Sequence, residues 1–452
     1  MSGIPVNRMI AFGTDGIRGN AEQFPFTDDA LYDFGRALAV WAQQKYNKSM
    51  PKILIGMDTR ISGPRIKEAL CRGLVDGGIR VLDTGVLPTP AVCQIIFYDK
   101  SFDAGIVISA SHNPYHDNGV KIFDARRCKI TSEDEQVILK HFESYLAGEG
   151  ISLTHKGSVE LWTEAIDIYQ KKIISLFPAH FLKKVKVVLD CAHGATYQVA
   201  PIIFKALGAD VTAIAAQPSG LNINDNCGAL HPEALAQAVK DLHADVGFAF
   251  DGDGDRIIGV SRNGLVKDGD DILALLLDLP VYKSLPTVVG TVMTNQGFEN
   301  HFVSRGKAVI RAKVGDKYVA AKLEEENVPL GGEISGHIII KDYLTTGDGV
   351  FVALKVLESM IVNDNFDMNT FAKFPQVLIN VPVVHKKDLT QHPYSLIIAE
   401  YEKKLGQGRI LVRYSGTEHL LRVMTEATTH EVAQTVAQAL ATRLQEALKA
   451  NS

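Results

Sequence analysis

Two short stretches carry residue types that could do chemistry together. Ser109-Ala110-Ser111-His112-Asn113-Pro114 offers a hydroxyl nucleophile, and Asp251-Gly252-Asp253-Gly254-Asp255-Arg256 offers three carboxylates at alternating positions. The intervening glycines leave room for all three acids to turn toward one hard divalent cation. A hydroxyl facing such a cage suits phosphoryl transfer. An EF-hand calcium loop starts in a similar way, but it needs Gly at its sixth position and Glu at its twelfth. Arg256 and Arg262 stand there instead. An apolar, strand-like run, Val246–Phe250, precedes the loop where an EF-hand needs a helix, so calcium sensing is excluded.

Charge supports a reactive role. Three carboxylates bring about −3, and a phosphorylated serine beside them would add about −2. That concentration of like charge holds only with a divalent ion and basic neighbours such as Arg256. Magnesium commonly completes its octahedron with phosphate oxygens, so a phosphoserine ligand would fit. Ser111 has a plain alternative as the cap of a helix begun near Pro114. His112 and Lys121 could serve the same loop, or be structural and solvated respectively.

Three further loops offer polar groups. Phe12–Gly19 carries Arg18 among three glycines, either as a turn with a surface arginine or as a cation aimed at an anion. Gly331-Gly332-Glu333-Ile334-Ser335-Gly336-His337 packs an acid, a hydroxyl and an imidazole, groups able to read sugar hydroxyls or to handle a proton. Thr345–Gly349 follows as a helix start. Arg413-Tyr414-Ser415-Gly416-Thr417-Glu418, with Arg422 nearby, presents a guanidinium, hydroxyls and backbone N–H groups, which is what a phosphate dianion needs.

The elements that must position these loops read as α/β. Lys52–Asp58 is a buried-strand pattern, a helix follows from Pro64 with Ile66, Leu70 and Leu74 inward, Gly77-Gly78 breaks it, and Ile79–Leu82 is the next strand. This is a βαβ unit. The grammar recurs as strand Lys186–Asp190, helix Tyr197–Leu207 and strand Asp210–Ile214. It recurs again, more loosely, as Thr287–Thr294, Phe298–Arg305 and Ala308–Arg311. From about Phe374 the texture changes to strands of a smaller sheet, at Pro375–Val381 and Gly408–Arg413. Thr428-x-x-Glu431 then reads as a capping box opening a last helix, with Val432, Val436, Leu440, Leu444 and Leu448 along one face.

The predicted fold class is therefore α/β: three tandem related βαβ-type domains with mixed sheets plus a C-terminal α+β domain. The boundaries fall at residues 1–155, 156–257, 258–372 and 373–452. The length of 452 residues supports a multidomain chain. A formal charge of −5 argues against nucleic-acid or anionic-membrane partners, which call for a basic face. Five cysteines without a Cys-x-x-Cys pair indicate neither a disulfide framework nor a zinc knuckle. No signal pattern or membrane-spanning apolar run is present, so the expected location is cytoplasmic.

Taken together, Ser-Ala-Ser-His-Asn-Pro, Asp-Gly-Asp-Gly-Asp-Arg, Gly-Glu-x-Ser-Gly-His and Arg-x-Ser-Gly-Thr resemble the α-D-phosphohexomutase superfamily, from about Phe12 to Met424. Within it, Phe12–Gly19, Asn226-Cys227-Gly228, Gly290–Asn295, Val314–Val319 and Leu344–Gly349 are most similar to the bacterial branch that acts on glucosamine phosphates. The resemblance implies four domains around a central cleft, each donating one loop. It implies that Ser111 carries the phosphoryl group and that one Mg²⁺ binds the Ser111 phosphate, Asp251, Asp253 and Asp255. It further implies that Arg18, Lys121 and His337 handle the proton or the charge, with His112 and Arg256 stabilising charge. Glu333 and Ser335 would contact sugar hydroxyls, and Arg413, Ser415, Gly416, Thr417 and Arg422 would grip the phosphate that is not reacting. The implied partner is a small hexosamine phosphate, and the implied reaction isomerises glucosamine 6-phosphate and 1-phosphate through a 1,6-bisphosphate, feeding UDP-N-acetylglucosamine. The chain is expected to be a monomer or homodimer.

Three positions depart from that pattern. Ile334 replaces a usual Gln, His419 a common Pro, and Tyr414 is unusual between Arg413 and Ser415. The loss of a hydrogen-bonding group at Ile334 leaves mannose or glucose phosphates as alternative substrates. A magnesium-dependent phosphatase and a non-enzymatic sugar-phosphate binder are the other classes. A second phosphate grip at Arg413 speaks against the first, and the retained Ser111 and aspartates against the second.

Overall fold

Parallel strands covered by helices on both faces must be apolar throughout, and the runs Ala104–Ile108 and Val246–Phe250 are buried at every position. They lie inside two mixed sheets. The computed structural model describes residues 12–13, 16–125, 128–152, 155–415 and 419–450. The chain divides into two units, Met1–Thr291 with Ala312–Asn369, and Val292–Arg311 with Thr370–Ser452.

In the larger unit the first sheet contains β1 (Ile17–Asn20), β2 (Lys52–Met57), β3 (Arg80–Val86), β4 (Ala104–Ile108), β5 (Asp117–Asp124), β6 (Cys128–Lys129) and β7 (Ser158–Leu161), in the order β1-β5-β4-β2-β3-β7, with β6 beside β5. The second contains β8 (Lys186–Asp190), β9 (Asp210–Ile214), β10 (Val246–Phe250), β11 (Ile257–Ser261) and β12 (Val266–Lys267), in the order β12-β11-β10-β8-β9. Next along the chain come β13 (Thr287–Thr291), β14 (Ala308–Ala312), β15 (Leu330–Gly332) and β16 (Ile338–Ile340).

One connection repeats. β4 runs parallel to β2 and is followed by antiparallel β5. β10 runs parallel to β8 and is followed by antiparallel β11. β15 runs parallel to β13 and is followed by antiparallel β16. The three loops at these reversals are Ser109–His116, Asp251–Arg256 and Glu333–His337. Each leaves the carboxyl end of a parallel strand, where open α/β sheets hold ligands.

The smaller unit has an antiparallel sheet of β17 (Gln376–Pro382), β18 (Gly408–Tyr414) and β19 (Leu420–Ala427), in the order β17-β19-β18. The helix His430–Ala450 packs on β17 and β19. Three sequence expectations need correction here. The residues following Thr291 leave the strand, because the carbonyls of Val292 and Thr294 are taken by the Arg409 guanidinium at 2.7 and 2.8 Å. The last helix is capped by Thr429, whose hydroxyl accepts from Val432 N, not by Thr428. Val432 is exposed, while Ala433, Ala437, Leu440, Ala441, Leu444 and Leu448 are buried. Steps of four advance 400° and drift around a 3.6-residue helix, so a strict i+4 line leaves the core face.

Candidate active site

Ser111 sits on the first of the three reversal loops with φ +54°, in the left-handed region that a non-glycine residue adopts only when its surroundings hold it there. It opens no helix; the loop turns directly into β5. Its Oγ donates to Asp251 Oδ2 at 2.6 Å and lies 3.2 Å from His112 Nδ1. Its backbone N–H donates to Ser109 Oγ at 2.8 Å, and Ser109 Oγ donates to Asp58 Oδ2 at 2.6 Å. The metal-type loop passes so close that a Cβ on Gly252 would lie 2.5 Å from the Ser111 carbonyl oxygen.

Asp251, Asp253 and Asp255 are all buried, and one oxygen of each lies within 4.8 Å of the others. Among the described residues this is the only such grouping of His, Cys, Asp and Glu. Lys121, buried in β5, donates to Asp253 Oδ2 at 2.7 Å and Asp255 Oδ2 at 2.9 Å. Thr89 Oγ1 and its backbone N–H both donate to Asp253. The Arg256 backbone N–H donates to Asp251 Oδ1 at 3.1 Å, and its guanidinium stands 4.0 Å away. Burial, together with the charges of Asp255 and Asp253, pushes the Asp251 carboxyl up to about 7 against the opposing pull of Arg256. Asp253 Oδ1 is buried with no hydrogen-bond partner. An all-oxygen donor set with a buried, unused carboxylate oxygen fits a hard divalent cation.

His112 is held neutral. Burial, and then the positive charges of Arg256, Arg18 and Lys121, press its imidazole down to about 3 against the pull of Asp253. It therefore meets Ser111 as a neutral ring, and positive charge at the loop comes from Arg256, Lys121 and Arg18. Arg18 stands in β1 opposite Gly119 of β5.

The third loop is locked onto the second. Gly336 has φ +89°, and a Cβ there would lie 2.1 Å from the Ile257 carbonyl oxygen; Ile257 N–H donates to Gly336 O at 3.0 Å. Glu333 is buried, and its Oε1 accepts from Gly315 N–H at 2.9 Å. The Ile334 carbonyl accepts from Gly269 N–H at 3.0 Å, and both Ile334 and Ser335 are half-buried. His337 is buried with Nε2 3.6 Å from Asp316 Oδ2, the oxygen that also receives the Lys129 ammonium. Gly347 fits between the Asp255 carbonyl and the His337 ring, because a Cβ there would come 2.4 Å from the first and 2.9 Å from Nε2. Asp348 caps the helix Gly349–Asn363 as expected, accepting from Phe351 N–H at 3.0 Å. The larger unit thus brings Ser111, Lys121 and the three aspartates into direct contact. It places His112 and Arg256 against them and packs the Glu333–His337 loop next to the aspartate loop.

In the smaller unit Arg413 and Arg422 face each other across β18 and β19. Like charges directly opposite destabilise a sheet unless an anion joins them. Burial and the charge of Arg422 pull the Arg413 guanidinium below its usual range. Ser415 is buried, and its carbonyl accepts from Lys386 Nζ at 2.7 Å. Tyr414 has a structural use, since its hydroxyl accepts from Lys387 N–H at 2.9 Å. His419 extends the pairing through its carbonyl, which accepts from Val383 N–H. Gly416 and Thr417 lie outside the described residues.

Sequence reading missed Asp58, Thr89 and Asp316. Asp58 had a usable signal, as an acid immediately past the carboxyl end of a parallel strand. Thr89, flanked by two prolines, had none.

Three loops at equivalent strand ends, one bearing a buried hydroxyl against a cage of acids and a lysine, define a multidomain α/β enzyme of phosphoryl transfer. Models of the phosphoglucomutase/phosphomannomutase family match the chain in order: alpha/beta/alpha domain I over residues 9–148, domain II over 167–264, domain III over 268–375 and the C-terminal domain over 378–443. A phosphoglucosamine mutase of Histophilus somni is 43% identical over 451 residues, covering 97% of this chain and 99% of that one. Among solved structures, a phosphoglucomutase/phosphomannomutase family protein from Burkholderia thailandensis superposes with a TM-score of 0.78 at 24% identity, covering 98% of each chain. An Aspergillus fumigatus N-acetylphosphoglucosamine mutase, solved in complex with GlcNAc-6P and magnesium, gives 0.67 at 15% identity, covering 98% of this chain and 97% of that one. The chain belongs to the phosphoglucomutase/phosphomannomutase family, and its curated relatives at 40–43% identity over nearly its whole length are phosphoglucosamine mutases. No helix among the described residues is long and apolar enough to cross a membrane.

Proposed function

We propose that the protein is an isomerase that interconverts glucosamine 6-phosphate and glucosamine 1-phosphate by way of a phosphoserine at Ser111. The observation that carries this reading is Ser111 Oγ at 2.6 Å from Asp251 in a buried aspartate triad. The relatives named phosphoglucosamine mutase supply the sugar.

In the forward direction the sugar's 1-hydroxyl attacks the Ser111 phosphoryl group. The Ser Oγ–P bond breaks as the O1–P bond forms, and the hydroxyl proton leaves to a base. The resulting 1,6-bisphosphate turns over; Ser111 Oγ then attacks the 6-phosphoryl group, and O6 takes up a proton. Lys121 and His337 are the candidates to move that proton, with Arg18 and Arg256 balancing charge on the transferring oxygens. Glu333 and Ser335 would orient the sugar hydroxyls, and Arg413, Ser415, Gly416, Thr417 and Arg422 would hold the distal phosphate. Asp251, Asp253, Asp255 and the Ser111 phosphate would hold one Mg²⁺, which when bound neutralises charge on the transferring phosphoryl group. The Aspergillus fumigatus neighbour was solved with magnesium, which supports the choice of metal.

We place the activity in the cytoplasm, in a monomer or homodimer, with domain divisions near residues 155, 257 and 372. The test is kcat/KM with Mg²⁺ for the 6-phosphates of glucosamine, glucose and mannose, with Ser111→Ala as control. Preference for the amino sugar, together with turnover lost by at least about 10³-fold in the variant, is expected. Preference for a neutral hexose would move the substrate and point to Ile334. Release of inorganic phosphate without isomerisation would make the protein a phosphatase.

A further inference from the structure

The left-handed backbone of Ser111 needs something to hold it, and two side chains from different α/β domains converge on the carbonyls around it. Arg60 is buried and donates through every N–H of its guanidinium. Nε is on Asp58 Oδ2 at 2.9 Å, and Nη2 is on the carbonyls of Ser111 and Asn113 at 3.0 and 2.8 Å. Nη1 is on the carbonyls of Asp117, at 2.9 Å, and Pro114. Asn224, from the second sheet's domain, donates through Nδ2 to the same Ser111 and Asn113 carbonyls, at 2.9 and 3.0 Å. Asn224 is itself held at φ +58°, its N–H on the Ala192 carbonyl at 2.9 Å.

Arg60 cannot have been placed there for charge alone. An ammonium would serve beside Asp58, but only a planar fork reaches three carbonyls of the loop and that of Asp117 at the start of β5. Asn224 adds the same contact from the body that carries the aspartate cage, and Gly252 keeps the wall between them thin. We infer that Arg60 and Asn224 are positioning residues: a clamp shared between two domains that fixes Ser111 Oγ toward Asp251, so that the nucleophile is aligned only while the two domains are docked. The inference rests on Ser111 acting as the phosphoryl carrier. Arg60 is buried and the Asn224 amide gives both donors to backbone carbonyls, so their loss is expected in turnover and not in substrate affinity.

Asn224→Gly is the variant of choice, because glycine adopts φ +58° without strain and only the two donors are lost. The expected result is a kcat lower by about tenfold or more, a KM for glucosamine 6-phosphate within about twofold of wild type, and slower phosphorylation of Ser111 by glucosamine 1,6-bisphosphate, read by intact mass. Arg60→Lys should do the same with a larger loss, and the double variant should lose more than the product of the single losses, since the two side chains share two acceptors. An unchanged kcat in Asn224→Gly, or a raised KM with kcat unchanged, overturns the inference. A crystal structure of Asn224→Gly separates this failure from failure of the proposed function. If wild type shows no isomerisation, the clamp still stands when Ser111 leaves φ +54° and the Oγ–Asp251 contact lengthens, and it falls when both are retained.

Discussion

Two acid clusters lie close together in this chain and have opposite characters. Asp251, Asp253 and Asp255 converge with their oxygens within 4.8 Å of one another, buried, and shared among Lys121, Thr89 and Ser111. Asp268, Asp270 and Asp271 begin the helix Gly269–Leu277. There Asp268 Oδ1 accepts from the backbone N–H groups of Asp270 and Asp271, and Asp271 Oδ2 returns to Asp268 N–H. Both are dense in aspartate and follow a strand, apolar Val246–Phe250 for the first and the short Val266–Lys267 for the second. The difference is in what satisfies the carboxylates. In the second cluster the Asp268 and Asp271 side chains serve the orphan donors and positive end of a helix, which is a reciprocal capping box. The first has no helix end to serve and keeps Asp253 Oδ1 unused. Acid density alone does not mark a cation site; the convergence of three buried carboxylates on one point does.

The largest expected effect follows from that difference. Asp253→Asn should cost at least about 100-fold in Mg²⁺-dependent isomerisation and abolish the rise in Tm expected of the wild type when Mg²⁺ is added. In the absence of Mg²⁺ its Tm should be equal to or above wild type, because a buried like charge has gone. An unchanged Mg²⁺-induced rise would remove Asp253 from the ligand set and collapse the contrast between the clusters.

Asp348 stands between the two cases and sharpens the comparison. It is a helix cap like Asp268, yet it is buried like Asp253, with the hydroxyls of Tyr169 and Tyr343 donating to it at 3.0 and 2.9 Å. Burial outweighs those bonds and pushes its carboxyl up to about 6, from an ordinary value of 3.8. A folded-state value above the unfolded one means that the folded chain holds the proton more tightly. The stability this group contributes is present below about pH 4 and is lost as pH rises toward 6, by roughly 3 kcal/mol at most. Asn keeps the cap and cannot ionise. The Tm of Asp348→Asn minus that of wild type should therefore increase between pH 4 and 6 and level off above. A difference independent of pH would mean that capping, not burial, sets the charge of this carboxylate.

These contrasts show which parts of the molecule its sequence makes legible. Strands such as Lys186–Asp190 and Asp210–Ile214 read directly, since a βαβ unit writes its period and its breaks locally. The reactive loops read from residue type and spacing, because glycine between acids is a local statement about crowding. Contacts made by tertiary packing do not read. Thr89 serves Asp253 across 164 residues, and Arg60 reaches Ser111 across 51. Nor does the segment Val292–Arg311, which follows a strand of the third α/β domain but packs with the last sheet because Arg409 binds its carbonyls. The drift of Val432 out of the core is the same lesson on one helix: a pattern judged by step alone ignores the turn that accumulates along it.

The smallest effect tests the capping cluster itself. Asp268→Ala removes the acceptor for two backbone N–H groups and the anion at a helix N-terminus. It should cost about 1 kcal/mol of stability, within the range of other lost N-caps. The helix it opens is packed along its whole length, from Gly269 to Leu277, so the loss should lower Tm without unfolding the helix. The loop Glu333–His337 leans on the same helix start, since Gly269 N–H donates to the Ile334 carbonyl and a Cβ on Gly269 would come 1.9 Å from the Glu333 carbonyl oxygen. KM for the sugar should therefore rise modestly, by about twofold to threefold, the scale of a few tenths of a kcal/mol. The Mg²⁺-induced rise in Tm should stay as in wild type. If Asp268→Ala instead weakens that rise as Asp253→Asn does, the two clusters are one electrostatic unit, and the division between capping and converging carboxylates fails.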